Sequence, residues 1–132
     1  MKKYIGTKQV EAEPMTRGDS WGKHLLREKP TEVNFNEAGY HVKYKDGYES
    51  WSPAEPFEEA YKCSDTFVDR LIIEHSELID KQEKLNKFFD TDIFKNLSST
   101  KQHLLQAQFG AMLAYSQILT ERIKLEQSET LQ

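Results

Sequence analysis

Between Cys63 and Gln132 the chain carries no proline and one glycine, Gly110, whereas residues 1–62 hold the other five glycines, all four prolines and both tryptophans. Backbone breakers decide what a segment can become. A stretch without them can run as long helices, and one interrupted every few residues folds into short strands and turns. The chain therefore divides near Cys63 into a β-rich module over residues 1–62 and a helical hairpin over residues 63–132. The expected class is α+β: a small antiparallel β-sheet with a short helix, then a long antiparallel α-helical hairpin.

In the second half Leu71, Leu78 and Leu85 repeat every seven residues, with Ile72 and Ile79 beside them and Phe67, Phe88 and Phe89 at the ends. This apolar face at helical period predicts a helix from about Thr66 to Phe89. Asp90-Thr91-Asp92 breaks it, and Ile93–Asn96 forms a connector. Ser99-Thr100-Lys101-Gln102 has capping-box character, and Leu105, Phe109, Met112, Leu119 and Ile123 mark the buried face of a second helix reaching about Glu126. The short connection makes the two helices antiparallel.

In the first half Tyr40, Val42 and Tyr44 alternate with His41 and Lys43, the period of a half-buried strand. Lys45-Asp46-Gly47 supplies turn chemistry, and Tyr48–Trp51 returns as the next strand. Ser52-Pro53-Ala54-Glu55 reads as a capping box opening a short helix from Pro53 to about Tyr61. Upstream, Tyr4–Ile5 and Lys8–Glu13 are expected strands. Arg17 to Ala38 is expected as a long loop with at most one helical turn, around Lys23–Arg27.

Composition narrows the function. A single cysteine excludes an internal disulfide framework and a cysteine-rich zinc module. No apolar run approaches the roughly 20 residues of a membrane span, and MKKYIGTKQV lacks the apolar stretch of a secretory signal. A cytoplasmic location is expected, without membrane association. The net charge of −4 and a pI near 5.6 argue against nucleic-acid polymers as partners. A hydrophobic content of 37% is low for a compact monomer of this size, and an isolated helical hairpin buries too little surface to be stable. Both point to a core completed by another copy of the chain.

No nucleophile, phosphate-loop, dinucleotide or metal motif is present in the sequence, so no catalytic residue, metal or cofactor is expected. His75 on the apolar face of the first helix reads as a partly buried structural histidine, and Cys63 as a junction residue. On the second helix Lys101, Gln108, Tyr115 and Arg122 recur every seven residues beside the apolar face. Such positions either snorkel to water or line a polar slot between paired hairpins that a ligand completes. Arg122 suits phosphate through its fixed fork of donors. Phe88, Phe89, Phe94 and Tyr115 suit a purine by stacking, or else cap the hairpin core. Trp21, Tyr40, Tyr44, Tyr48 and Trp51, with Arg17 and Lys43 interleaved, form either the core of the small module or a stacking platform.

Longer patterns add to this reading. The runs Tyr4-Ile5-Gly6-Thr7-Lys8, Ala12-Glu13-Pro14-Met15, Gly39 through Pro53 and Phe57-Glu58-Glu59-Ala60-Tyr61 resemble a small N-terminal module of phage and prophage proteins. Leu85, Phe88-Phe89, Phe94, Leu97-Ser98, Leu104-Leu105, Gln108, Met112, Tyr115, Ile118-Leu119 and Arg122-Ile123 resemble the helical hairpin of phage anti-defence sponges. That hairpin is shared by the first Thoeris anti-defence family and by sponges that block cyclic-oligonucleotide antiviral signalling. A β-rich module followed by this hairpin is most similar to the Thoeris anti-defence arrangement. Residues 18–38 depart from the family pattern.

The resemblance implies a non-enzymatic protein of the infected host cell's cytoplasm. It would hold cyclic ADP-ribose isomers, and cyclic di- or trinucleotides at a separate pocket, intact and away from their effector. It also implies a homo-oligomer, a dimer or hexamer, with pockets between subunits. Carried over by position, Phe88, Phe89 and Phe94 would stack on adenine, Arg122 would bind phosphate, and Arg17 would be a further ligand group. Two other readings of the chain stay open: an enzyme that degrades the messenger, and an interaction module that inhibits a host protein.

Overall fold

The structure is a computed structural model and describes residues 1–130. The chain separates into two compact units, Met1–Lys62 and Cys63–Gln132. The architecture is α+β, with a three-stranded antiparallel sheet in the N-terminal region followed by long helices.

In the first unit β1 (Glu11–Pro14), β2 (Gly39–Lys43) and β3 (Glu49–Pro53) pair in the order β1-β2-β3. The register sets His41 opposite Glu13 on one side and Trp51 on the other. Strand alternation then gives Tyr40 and Val42 one face, and His41 and Lys43 the other. Val42 is fully buried, and Tyr40 stacks on Phe57 of α2 (Ala54–Ala60) with ring centroids 4.2 Å apart. Phe57 stacks in turn on Tyr61 at 5.0 Å. The Tyr40 hydroxyl donates to Glu58 at 2.8 Å, and this bond to a carboxylate holds the phenol above its ordinary pKa. On the opposite face the His41 ring lies between two carboxylates, 2.9 Å from Glu49 and 3.4 Å from Glu13. Gly39 lies where only a glycine fits: a Cβ there would sit 2.4 Å from both the Ser52 carbonyl oxygen and the Trp51 ring.

Several local expectations change. Tyr4–Ile5 is no strand. Residues 1–10 have no regular structure, both side chains are exposed, and β1 begins at Glu11, not Lys8. Two residues without a paired neighbour gain too little to fix an extended backbone. The helical turn expected at Lys23–Arg27 lies upstream, as α1 (Arg17–Gly22), because the Thr16 hydroxyl accepts from the Asp19 N–H at 3.2 Å and caps it. His24, at φ 60, ends that helix in the left-handed conformation. The capping box at Ser52 does not form. Ser52 and Pro53 still belong to β3, Pro53 is the N-cap, and no side chain caps α2.

The second unit contains α3 (Phe67–Phe88), the short α4 (Asp92–Lys95) and α5 (Ser99–Thr130). A reciprocal cap opens α3: Thr66 Oγ1 accepts from the Asp69 N–H at 3.0 Å, and Asp69 Oδ2 accepts from the Thr66 N–H at 3.1 Å. The backbone bond from Thr66 is the main reason the Asp69 carboxyl lies below its ordinary pKa. The connector expected at Ile93–Asn96 is the helical turn α4, capped by Thr91. The capping box expected at Ser99–Gln102 forms differently. Ser98 caps the Lys101 N–H, and the Gln102 amide points backwards to donate to the carbonyls of Phe94, Lys95 and Leu97 at 3.0, 3.1 and 3.2 Å. The hairpin core consists of Leu71, Met112, Ser116 and Leu119, closed at the turn by Phe94.

Candidate functional site

Antiparallel packing of α3 on α5 brings together residues that are remote in sequence. At the turn, four rings meet edge to face. Phe94 stands 5.0 Å from Phe89 and 6.0 Å from Phe88, and Phe89 stands 5.5 Å from Phe109. Each contact sets a positive ring edge against a negative ring face. Phe94 is 8% exposed, while Phe88, Phe89 and Phe109 are half-buried. The cluster therefore unites the three phenylalanines expected to stack on a base, and adds Phe109, which the periodicity had assigned only to the packing face.

Midway along the hairpin the packing turns polar. The Tyr115 hydroxyl donates to Glu74, which raises the phenol's pKa above its ordinary value. His75 Nε2 lies 3.0 Å from Thr120 Oγ1, which also donates to the Ser116 carbonyl at 2.9 Å. Gln82 Oε1 is buried without a hydrogen-bond partner. Glu74 and Thr120 gave no sequence signal of their own, since each is 41 or 45 residues from its partner. Only the register of the hairpin about its turn could have found them.

Arg122 lies at the far end, its guanidinium 5.9 Å from the Phe67 ring centroid, a cation–π contact. Thirteen residues of helix separate it from Phe109, about 20 Å at 1.5 Å per residue. Within one chain the aromatic cluster and the guanidinium are therefore not parts of one pocket. Gln108 adjoins Phe109 on α5, exposed, with its amide 4.0 Å from the Met112 sulfur.

Arg17, in the N-terminal unit, is already engaged. Its Nε and a terminal nitrogen each lie 2.7 Å from Glu37 Oε2, and its guanidinium covers the Trp51 ring at 4.6 Å. Trp51 in turn donates from Nε1 to the Met15 carbonyl at 2.7 Å. Arg17 thus anchors the 23–38 loop over the sheet edge.

The outer face of α5 is apolar as well. Leu104, Ile118 and Leu125 are 65%, 58% and 62% exposed. With Ala111 they recur every seven residues, adjacent on the helix to Gln108, Tyr115 and Arg122. Among the described residues no group of three or more His, Cys, Asp or Glu side chains could hold a metal ion, and no helix is long and apolar enough to cross a membrane.

The geometry defines a helical hairpin with an aromatic turn, a polar middle and an apolar outer seam. Residues 65–125, which span that hairpin from the cap of α3 into α5, match the model of the family described as Sequestin. No curated protein and no solved structure matches the chain.

Proposed function

We propose that the protein is a phage anti-defence sponge. Its hairpin binds a cyclic nucleotide immune messenger, a cyclic ADP-ribose isomer in the first instance, and withholds it from the effector without cleaving it. The observation that carries this reading is the Sequestin match across residues 65–125, whose name describes sequestration. The Thoeris-like arrangement of a β-rich module ahead of the hairpin supports the choice of messenger. Such a protein acts by stoichiometry in the host cytoplasm and needs tight binding. A Kd near 1 nM corresponds to roughly −12 kcal/mol, which calls for an enclosed site with both stacking and phosphate contacts.

The outer seam of α5 supports an enclosed site made by two copies. It is nearly palindromic about the point between Ala114 and Tyr115: Leu104 mirrors Leu125, Ala111 mirrors Ile118, Gln108 mirrors Glu121, and Ala107 mirrors Arg122. Two copies packed antiparallel along this face set leucine on leucine and isoleucine on alanine, an isologous contact. The partner's Arg122 then stands level with Ala107, about 3 Å along the axis from Phe109. Dimerisation thereby brings the guanidinium level with the turn end of the hairpin, which it does not reach within one chain.

Calorimetry with a panel of cyclic ADP-ribose isomers and cyclic di- and trinucleotides, alongside native mass measurement, tests the reading. Heat release with at least one of them, and intact ligand recovered after heat denaturation, support it. A linear product points to an enzyme, and no heat with any ligand points to a protein-interaction module. Arg122→Ala is expected to weaken binding by more than about tenfold, the loss of a charge-assisted phosphate contact, while the oligomer persists.

A further inference from the structure

A concavity lies in the N-terminal unit, apart from the hairpin residues used for the proposed function. The segment preceding β1 and the β2–β3 turn enclose a groove of about 520 Å³ lined by Thr7, Lys8, Tyr44, Lys45, Asp46 and Tyr48. Its size falls within the roughly 300–1,000 Å³ range of small-molecule sites. Lys8 Nζ stands 5.6 Å from the Tyr44 ring centroid, inside cation–π range. The Tyr44 and Tyr48 rings are 5.7 Å apart and tilted by 32°.

Tyr48 is 65% exposed, although Tyr40, Phe57 and Tyr61 in the same unit stack on one another. A large ring left outside that stack has a free face to offer. The turn that carries it is rigid. The Tyr44 N–H donates to the Tyr48 carbonyl at 2.8 Å, the Gly47 N–H to the Tyr44 carbonyl at 2.9 Å, and Asp46 Oδ1 accepts from the Tyr48 N–H at 2.9 Å. Gly47 holds φ +90, a conformation that side chains resist. A wall of the site that is already formed loses little entropy on binding.

We infer that this groove binds a planar aromatic anion, with a purine mononucleotide as the fitting chemical class. The exposed Tyr48 face takes the base, Lys8 and Lys45 take the phosphate, and the Asp46 carboxylate accepts from an exocyclic amine. Two ammoniums against one carboxylate leave the groove positive in a chain that is negative overall, which favours an anionic ligand.

The test is a two-dimensional amide NMR titration of the full-length protein with AMP, read at Gly47, with adenosine and ribose 5-phosphate as controls lacking charge and ring. AMP is expected to shift Gly47 saturably. Each control should bind about tenfold more weakly, because it lacks one class of contact. Tyr48→Ala removes an exposed ring, leaves the turn hydrogen bonds in place, and is expected to weaken AMP binding about fivefold. Phe88→Ala should leave the titration unchanged, which separates this site from the hairpin. No shift at millimolar AMP, ribose 5-phosphate binding as well as AMP, or unaltered affinity in Tyr48→Ala would each overturn the assignment.

Discussion

The two units handle their aromatic and apolar side chains in opposite ways. In the sheet unit, the rings packed on the sheet are tied down one by one, Tyr40 on Phe57 and Trp51 beneath Arg17 and bonded to the Met15 carbonyl, with Tyr48 at the turn left exposed. In the hairpin the inner face of α5 is filled, yet an outer stripe of Leu104, Ile118 and Leu125 is left bare. A unit too small for a deep core compensates with specific contacts to backbone and charge. A long helix has two faces, and when both are apolar one of them lacks a partner within a two-helix hairpin. Ligand capture shared between copies is therefore expected of the hairpin and not of the sheet.

The sharpest break in that comparison sets two adjacent residues of α5 against each other. Leu119→Ala empties a position that is 0% exposed and is expected to cost about 2–5 kcal/mol in urea unfolding. Ile118→Ala, one residue away on the bare stripe, should change the stability of the isolated protomer by about 0.5 kcal/mol at most. It should nevertheless raise the dissociation constant of the oligomer in sedimentation experiments. Equal losses of stability would show that the outer stripe is covered by its own chain.

Gln102→Leu tests whether the turn depends on specific contacts as the sheet unit does. It removes the amide shared by three carbonyls and is expected to cost about 1–3 kcal/mol, as part-buried acceptors lose their donor. Acid titration probes the start of α3. The folded-state pKa of Asp69 is depressed, so its contribution is complete above the unfolded value of about 3.9 and fades as pH falls through the lower folded value. Asp69→Asn should flatten that acid limb in a pH series of thermal melts. The smallest effect belongs to His24. Replacing its left-handed backbone conformation with glycine should stabilise the sheet unit by about 0.5 kcal/mol, measured by chemical denaturation.

Period carried most of the legible fold. The seven-residue leucine repeat located α3 to within a residue at each end, since the structure has Thr66 and Phe89 as its caps. The alternation around Val42 and the Asp46-Gly47 turn located β2 and β3. What sequence did not reveal was set by partners distant along the chain. α1 sits upstream of the expected turn, where Thr16 caps it and Gly18 and Arg17 bond to the carbonyls of Phe35 and Glu37. Ser52 failed as a cap because pairing with β2 keeps it in the strand. At the site, the clustering of Phe88, Phe89 and Phe94 follows from their placement at one turn. The distance of Arg122 from them could be counted in residues, but Arg17's pairing with Glu37 depends on a loop that has no periodic pattern.

The polar pairs inside the hairpin also fix how its helices slide. Tyr115 meets Glu74, and Thr120 meets His75, while Gln102 holds the end of α4. An apolar seam of similar residues tolerates a shift along its length, because one leucine replaces another. A shift of one residue turns a helix by about 100°, and would part both pairs at once. These few hydrogen bonds act as a vernier, allowing a single alignment of α5 on α3, and so they determine which side chains the outer face of α5 presents and at what spacing.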